Sequence, residues 1–408
     1  MTTEPVGSQR EPRRGPFSLR ERHRVLLVTA AVLFLSVLVW FNYAAVLPQV
    51  VDDWGLSGTQ AGVLFGAFQA GYLVAILPAG WLADRYSPRW VIAVGASGTA
   101  LPSLAFAAVA EGAVLGTALR FCSGLFVAGV YVPGMRFISD WFPERVRGRA
   151  LGAYIGTFEL GSGLAFVSAT AVTQITGWRF AIAVTSVGAL LVSPLVVRST
   201  RDASNRAQPQ SGFDWSLLEN RTYLLATGVY AWHNWELFGV RSWMLAFLVA
   251  TPAFAATGSS LLPGVLVGAM IVASGVGNVL GGWLSDRVGR PIVLAVGLGS
   301  SAAISAVIGL LGALSRAVLI VLILIYGLVL ALDSAPTSTL VTEVVSEERV
   351  GSALSLQSLA GFSTTIVSPI VFGLALDRGG YAAAFPTLAA GAVLGLLFVG
   401  GLAVKRAS

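Results

Sequence analysis

Gly80-Trp81-Leu82-Ala83-Asp84-Arg85 returns 202 residues later as Gly282-Trp283-Leu284-Ser285-Asp286-Arg287. At the same offset Ala61-Gly62-Val63-Leu64-Phe65-Gly66 matches Pro263-Gly264-Val265-Leu266-Val267-Gly268. At an offset of 203, Pro133 matches Pro336, and Gly148-Arg149-Ala150-Leu151 matches Gly351-Ser352-Ala353-Leu354. Four segments in order at a near-constant spacing describe a duplicated chain.

Working outward from these copies, the sequence alternates long apolar stretches with short polar ones. Apolar stretches run approximately over 25–47, 58–80, 90–110, 112–135, 149–173, 178–198, 222–250, 261–283, 291–313, 316–340, 350–375 and 382–404. Each is near the ~20 residues that a helix needs to cross a bilayer. Of the 408 residues, 55% are hydrophobic and 11% are charged, whereas soluble domains carry about a quarter charged. The expected fold class is an all-α membrane protein of twelve transmembrane helices in two six-helix repeats. Because six helices separate the copies, the repeats share one membrane orientation and are related by an axis along the membrane normal. The composition excludes a disordered chain, and the 47 glycines follow no three-residue period. The single cysteine, Cys122, supports no disulfide framework.

The longest polar interruption divides the chain. The expected organisation is an N-tail over 1–24, a first bundle over 25–198, a linker over 199–221, a second bundle over 222–404 and a C-tail over 405–408. The first apolar stretch exceeds a signal-peptide core and follows a long charged lead, so it reads as a retained helix. With both termini placed inside, 21 of the 26 Lys and Arg residues fall on cytoplasmic segments, as the positive-inside rule requires. The pI near 9.8 therefore reflects topology and implies no nucleic-acid partner.

The segment Gly80 to Arg89 resembles the helix 2–3 loop of the major facilitator superfamily of secondary transporters, keeping Gly80, Leu82, Asp84, Arg85 and Arg89. It departs from that pattern at Ser87 and Pro88, while the second copy keeps Gly282, Leu284, Asp286, Arg287, Gly289 and Arg290. Arg120-x-x-x-Gly124 resembles the family's helix 4 motif. Pro133-Gly134-Met135-Arg136 and the string Trp141 to Ala150 resemble the helix 4–5 connection of organic-anion members. The resemblance covers essentially the whole chain and implies alternating access around a central site lined by helices 1, 4, 7 and 10. It also implies gating roles for Gly80, Asp84, Arg85, Arg89, Asp286, Arg287 and Arg290. Physically, a carboxylate at a helix end among basic side chains contributes ~0.3–2 kcal/mol, which suits a switch between states a few kcal/mol apart.

Arg120, Glu159, His233, Glu236, Arg241 and Asp333 fall within the apolar stretches, where a central charge costs about 2.5–3.5 kcal/mol. They must be paired, hydrated or both. Depth along neighbouring antiparallel helices predicts that Arg120 meets Glu159. A cross-domain pair between Arg136 and Asp333, read as lying near the inner end of helix 10, is the second expectation. On helix 7, His233 and Glu236 share one side, while Asn234 and Arg241 lie about 140–160° from Glu236. One side can carry a proton, and the fixed charge of Arg241 suits an anion. Asn42, Tyr43, Gln69 and Tyr131 complete the expected pocket wall. The alternative for each is packing, or a permanent ion pair.

No phosphate-binding loop with Lys-Ser/Thr occurs, so ATP hydrolysis is not the expected energy source. Two His residues and one Cys offer no metal site, and no cofactor or enzymatic activity is expected. The reading is a monomeric transporter of the cytoplasmic membrane that moves a small organic or inorganic anion, coupled to H+. A drug/proton antiporter is the alternative, opposed by the absence of a Gly-Pro signature in helix 5. A non-transporting membrane sensor is the alternative of another class.

Overall fold

The computed structural model describes residues 18–203, 214–346 and 349–407. Parts of the expected N-tail, linker and C-tail lie outside them. The helices are α1 Leu19–Trp54, α2 Gly58–Arg85, α3 Pro88–Val109, α4 Ala113–Trp141, α5 Glu144–Thr176 and α6 Trp178–Ser199. After the linker come α7 Arg221–Ala250, α8 Leu261–Val288 and α9 Arg290–Ile308. The tenth, α10, is built from two pieces, Arg316–Leu330 and Ser334–Glu343. A last helical run, Val350–Ala407, is interrupted by non-helical Gly379 and Gly380, and its two arms are α11 and α12. No strand occurs among the described residues. Ten helical runs are long and apolar enough to cross a membrane. The bent run supplies two crossings, and α7, 30 residues long, makes the twelfth despite its polar residues.

Local sequence explains the boundaries. Ser18 and Ser57 form capping boxes with Glu21 and Gln60 at the starts of α1 and α2, satisfying N–H groups that have no partner inside the helix. Gly55, in the left-handed region at φ 61°, ends α1. The break in α10 precedes Pro336, which has no N–H to give and whose ring disfavours a continuous helix.

Helices α1–α6 pack mainly on one another and α7–α12 do the same, with α2 against α11 and α5 against α8 joining the two sets. These joints occupy only one half of each helix. Gly58, Gly62 and Gly66 of α2 lie against the backbone of Gly373, Pro369 and Ile366 of α11. Gly163 of α5 meets Gly268 of α8, where an added Cβ would sit 2.9–3.0 Å from the facing carbonyl oxygen. Farther along the same faces, Gly80, Gly152, Gly156 and Gly275 have no neighbour within 4 Å. The two sets therefore meet on the face opposite the two ends of the described chain, Ser18 and Ala407, and diverge toward the arginine-rich face that carries those ends. The central cleft opens on that arginine-rich face.

Candidate substrate and coupling site

Arg241 sits past the middle of α7, 2% exposed, with its Nη2 2.6 Å from Glu159 Oε2 on α5. This ion pair joins the two six-helix sets. Glu159 is the accessible partner, its side chain 33% exposed. The Arg241 guanidinium lies 6.0 Å from the Phe41 ring, and its Nε has no hydrogen-bond partner. Around the pair stands an aromatic array whose phenylalanines the sequence did not single out. Phe41 contacts Phe158, Phe166 and Phe238, and Phe158 meets Trp40 and Tyr131. Phe362 of α11 meets Phe238 within its own set and Tyr72 of the first set. Edge and offset ring contacts of this kind each contribute about 0.5–1.5 kcal/mol beyond area burial.

Arg120 does not meet Glu159. Helix α4 packs on α2 and α3, whereas α5 packs on α1, α8 and α6, so the two side chains point into different interfaces. The Arg120 Nη1 and Nη2 instead donate to the Val39 and Trp40 carbonyls of α1 at 3.3 and 3.2 Å. Its guanidinium stacks 4.4 Å from the Phe68 ring and 5.4 Å from Tyr43. Arg120 thus braces α1 from behind the residues that carry Trp40 and Phe41.

The second expected pair also separates. Arg136 reaches Asp84 at 3.6 Å and Asp140 at 3.3 Å, inside the first set. Asp333 lies at the break of α10, within the span and away from its inner end, because the helix continues to Glu343. Its Oδ1 is 2.9 Å from His233 Nδ1. His233 Nε2 is 2.8 Å from Ser334 Oγ. One turn along α7, Glu236 accepts from Ser301 at 2.8 Å and Ser305 at 2.6 Å, both on α9. Ser305 also bonds Tyr326 of α10. His233, Glu236 and Asp333 are at most 3% exposed. The two polar sides expected of α7 are present: His233 and Glu236 face the interior of the second set, and Arg241 faces the first.

Of the expected pocket wall, Asn42 is a core residue: its Nδ2 lies 3.2–3.3 Å from Ser103, Thr185 and Ser186. Tyr43 donates to the Ala61 carbonyl and is fully buried. Gln69 crosses between the sets to Thr365 at 3.1 Å. Tyr131 stacks on Tyr154 beside Phe158. Asn234 turns back to the Tyr230 carbonyl.

The helix 2–3 and 8–9 loop residues bind within their own sets. Arg89 holds the end of α6 through the Thr200 carbonyl at 2.9 Å and Asp202 at 3.5 Å. Arg290 bridges Glu343 at 2.5 Å and Asp286 at 3.4 Å. Arg85 and Arg287 stack on Trp81 and Trp283. Two crevices of about 710 and 510 Å³ flank α3 on the outside of the first set. They are lipid-facing, and neither contains any of the membrane-embedded charges.

The sequence model of the Major Facilitator Superfamily matches residues 29–263 and, again, 237–407. The chain belongs to the Major Facilitator Superfamily. The overlapping matches are consistent with the doubled pattern of twelve spans, and this superfamily member is a multi-pass membrane transporter rather than an enzyme. It is 26% identical to a probable sulfoacetate transporter of Cupriavidus necator, over 94% of this chain and 93% of that one. It is 24% identical to a hexuronate transporter of Bacillus subtilis, over 91% of each chain. In fold it resembles the crystal structure of a bacterial homologue of the human lysosomal transporter Spinster, in an inward-facing and occupied conformation. The TM-score there is 0.78 at 18% identity, over 96% of each chain.

Proposed function

We propose that this transporter moves a small organic anion across the cytoplasmic membrane by alternating access, with Arg241 as the anion's receptor and Glu159 as its resident competitor. The observation that carries this reading is the 2.6 Å pair between them, which joins the two helix sets at the head of the cleft. A carboxylate or sulfonate arriving through the cleft offers Arg241 the geometry that Glu159 supplies, and the planar guanidinium suits either. Exchange of the internal carboxylate for the anion unties one set from the other, so binding and rearrangement are linked. The names of two relatives, a sulfoacetate and a hexuronate transporter, support an organic anion as cargo.

Proton coupling follows from charge balance. An anion that displaces Glu159 leaves a carboxylate uncompensated, and a proton on Glu159 removes that cost. The His233, Glu236 and Asp333 cluster holds two carboxylates and one imidazole in a buried space, making it the second candidate to load a proton. The units that move are the expected bundles, 25–198 and 222–404. The positive-inside rule places the arginine-rich face, and with it both termini, in the cytoplasm, which makes this conformation inward-facing. The protein works as a monomer in this reading, since each chain contains both sets and the whole site.

The experiment is uptake of labelled sulfoacetate and a hexuronate into proteoliposomes under an imposed pH gradient. Uptake that collapses with the gradient, and is lost in Arg241→Ala, is expected. Gradient-independent uptake overturns proton coupling, and full uptake by Arg241→Ala overturns the receptor assignment.

A further inference from the structure

At the face opposite the termini, the carboxylate of Asp377, near the end of α11, reaches across to the first turn of α2. Its Oδ1 accepts from the Gly58 N–H at 2.5 Å. Its Oδ2 accepts from the Thr59 N–H at 2.9 Å and the Thr59 hydroxyl at 2.7 Å. The Gln60 N–H is taken by Ser57 Oγ at 3.2 Å, and the Ala61 N–H returns to the Ser57 carbonyl. The start of α2 is therefore fully capped, and two of its N–H groups depend on a residue from the other half of the protein.

Asp377 is badly placed for its own helix. It lies just before the break at Gly379 and Gly380, at the end where a helix carries partial negative charge and disfavours a carboxylate. The start of α2 carries the opposite partial charge and favours one. The Asp377 side chain thus finds a favourable field only while α2 and α11 are together. Close approach at this point requires Gly58, where an added Cβ would sit 2.7 Å from the Gly373 carbonyl oxygen and 2.8 Å from Asp377 Oδ1.

We infer that Asp377 is a latch, a capping carboxylate lent by one half to the first turn of α2 in the other, which holds the face opposite the termini closed and is released when that face opens. It acts at the gate, distant from the anion receptor, and it holds whichever solute is carried. Release leaves the Gly58 and Thr59 N–H groups and the carboxylate to water. The loss is comparable to that of one helix cap, ~1 kcal/mol, which corresponds to about a fivefold change in population.

The test reads gate opening directly, without substrate. Thr170→Cys, in a Cys122→Ser background, places a thiol in the closed joint, where Thr170 is fully buried against Gly264. Its labelling rate with a polar maleimide is measured on the purified full-length protein in detergent. Asp377→Asn raises the rate about fivefold, while Asp377→Glu, which keeps the charge, stays within twofold of the parent. A rate in Asp377→Asn within twofold of the parent, with an unchanged melting temperature, overturns the latch. Should Asp377→Asn fail to fold, Thr59→Val removes only the hydroxyl contact and raises the rate about twofold to threefold. No change in that variant overturns the inference equally. Because labelling needs no anion, failure here is distinguishable from failure of the transport assignment.

Discussion

Glu159→Gln removes the charge that competes for Arg241 and leaves the shape of the site nearly intact. The magnitude follows from the geometry. Two unit charges about 4 Å apart attract by about 4 kcal/mol at an effective dielectric of 20. With the Glu159 side chain one-third exposed, solvent screening brings the pair to roughly 1–3 kcal/mol. An incoming anion no longer has to displace a carboxylate, so its affinity should rise by about 5–150-fold. Isothermal titration of purified protein with sulfoacetate and a hexuronate measures this, with Arg241→Ala as the variant expected to bind neither. Transport should nevertheless fall, because an anion held this tightly is released slowly. Affinity in Glu159→Gln equal to or weaker than that of the parent, with the fold intact, would refute the competitor role.

Two further outcomes follow from packing and burial. Gly62→Ala drives a methyl group into the Pro369 carbonyl, a backbone atom that cannot step aside. At about 1–3 kcal/mol for such overpacking, the closed joint weakens and the Thr170→Cys thiol is labelled at least fivefold faster, whereas an unchanged rate would mean that the joint yields freely. Asp333→Ala leaves His233 buried without its acid and is expected to cost about 3–5 kcal/mol. The His233→Leu, Asp333→Leu double variant should recover most of that melting temperature, and a double variant as unstable as the single would show that the pair contributes net stability.

The twelve spans and their order were legible because hydropathy, Gly and Pro punctuation and the 202-residue repeat report the same periodic architecture. The opposed polar sides of α7 were legible from helical geometry alone. Partner choice among the membrane-embedded charges was not. Arg120 and Glu159 share a depth, but depth says nothing of azimuth, and α4 and α5 turn those side chains into different interfaces. Asp333 was placed near the inner end because the apolar stretch stops at about 340, whereas the helix runs on to Glu343 beyond the break before Pro336. The aromatic array escaped notice since Phe41, Phe158, Phe238 and Phe362 come from four helices and are individually unremarkable in an apolar chain. Asp377 looked like a loop residue, and its partners lie more than 300 positions away. The paired serines Ser301 and Ser305, one turn apart on α9, were the one missed feature with a readable local signal.

The glycines at 80, 152, 156 and 275, which touch nothing across the cleft, have a practical consequence for anyone stabilising this protein. Judged by this conformation alone, Gly→Ala at each is an inviting helix improvement of about 1 kcal/mol. Yet these positions extend the same faces whose other glycines already lie backbone to backbone, and in the proposed alternating-access cycle they are the ground on which the cleft closes. Filling them would yield a sturdier protein with its cycle jammed half-way, useful to a crystallographer and useless to a cell.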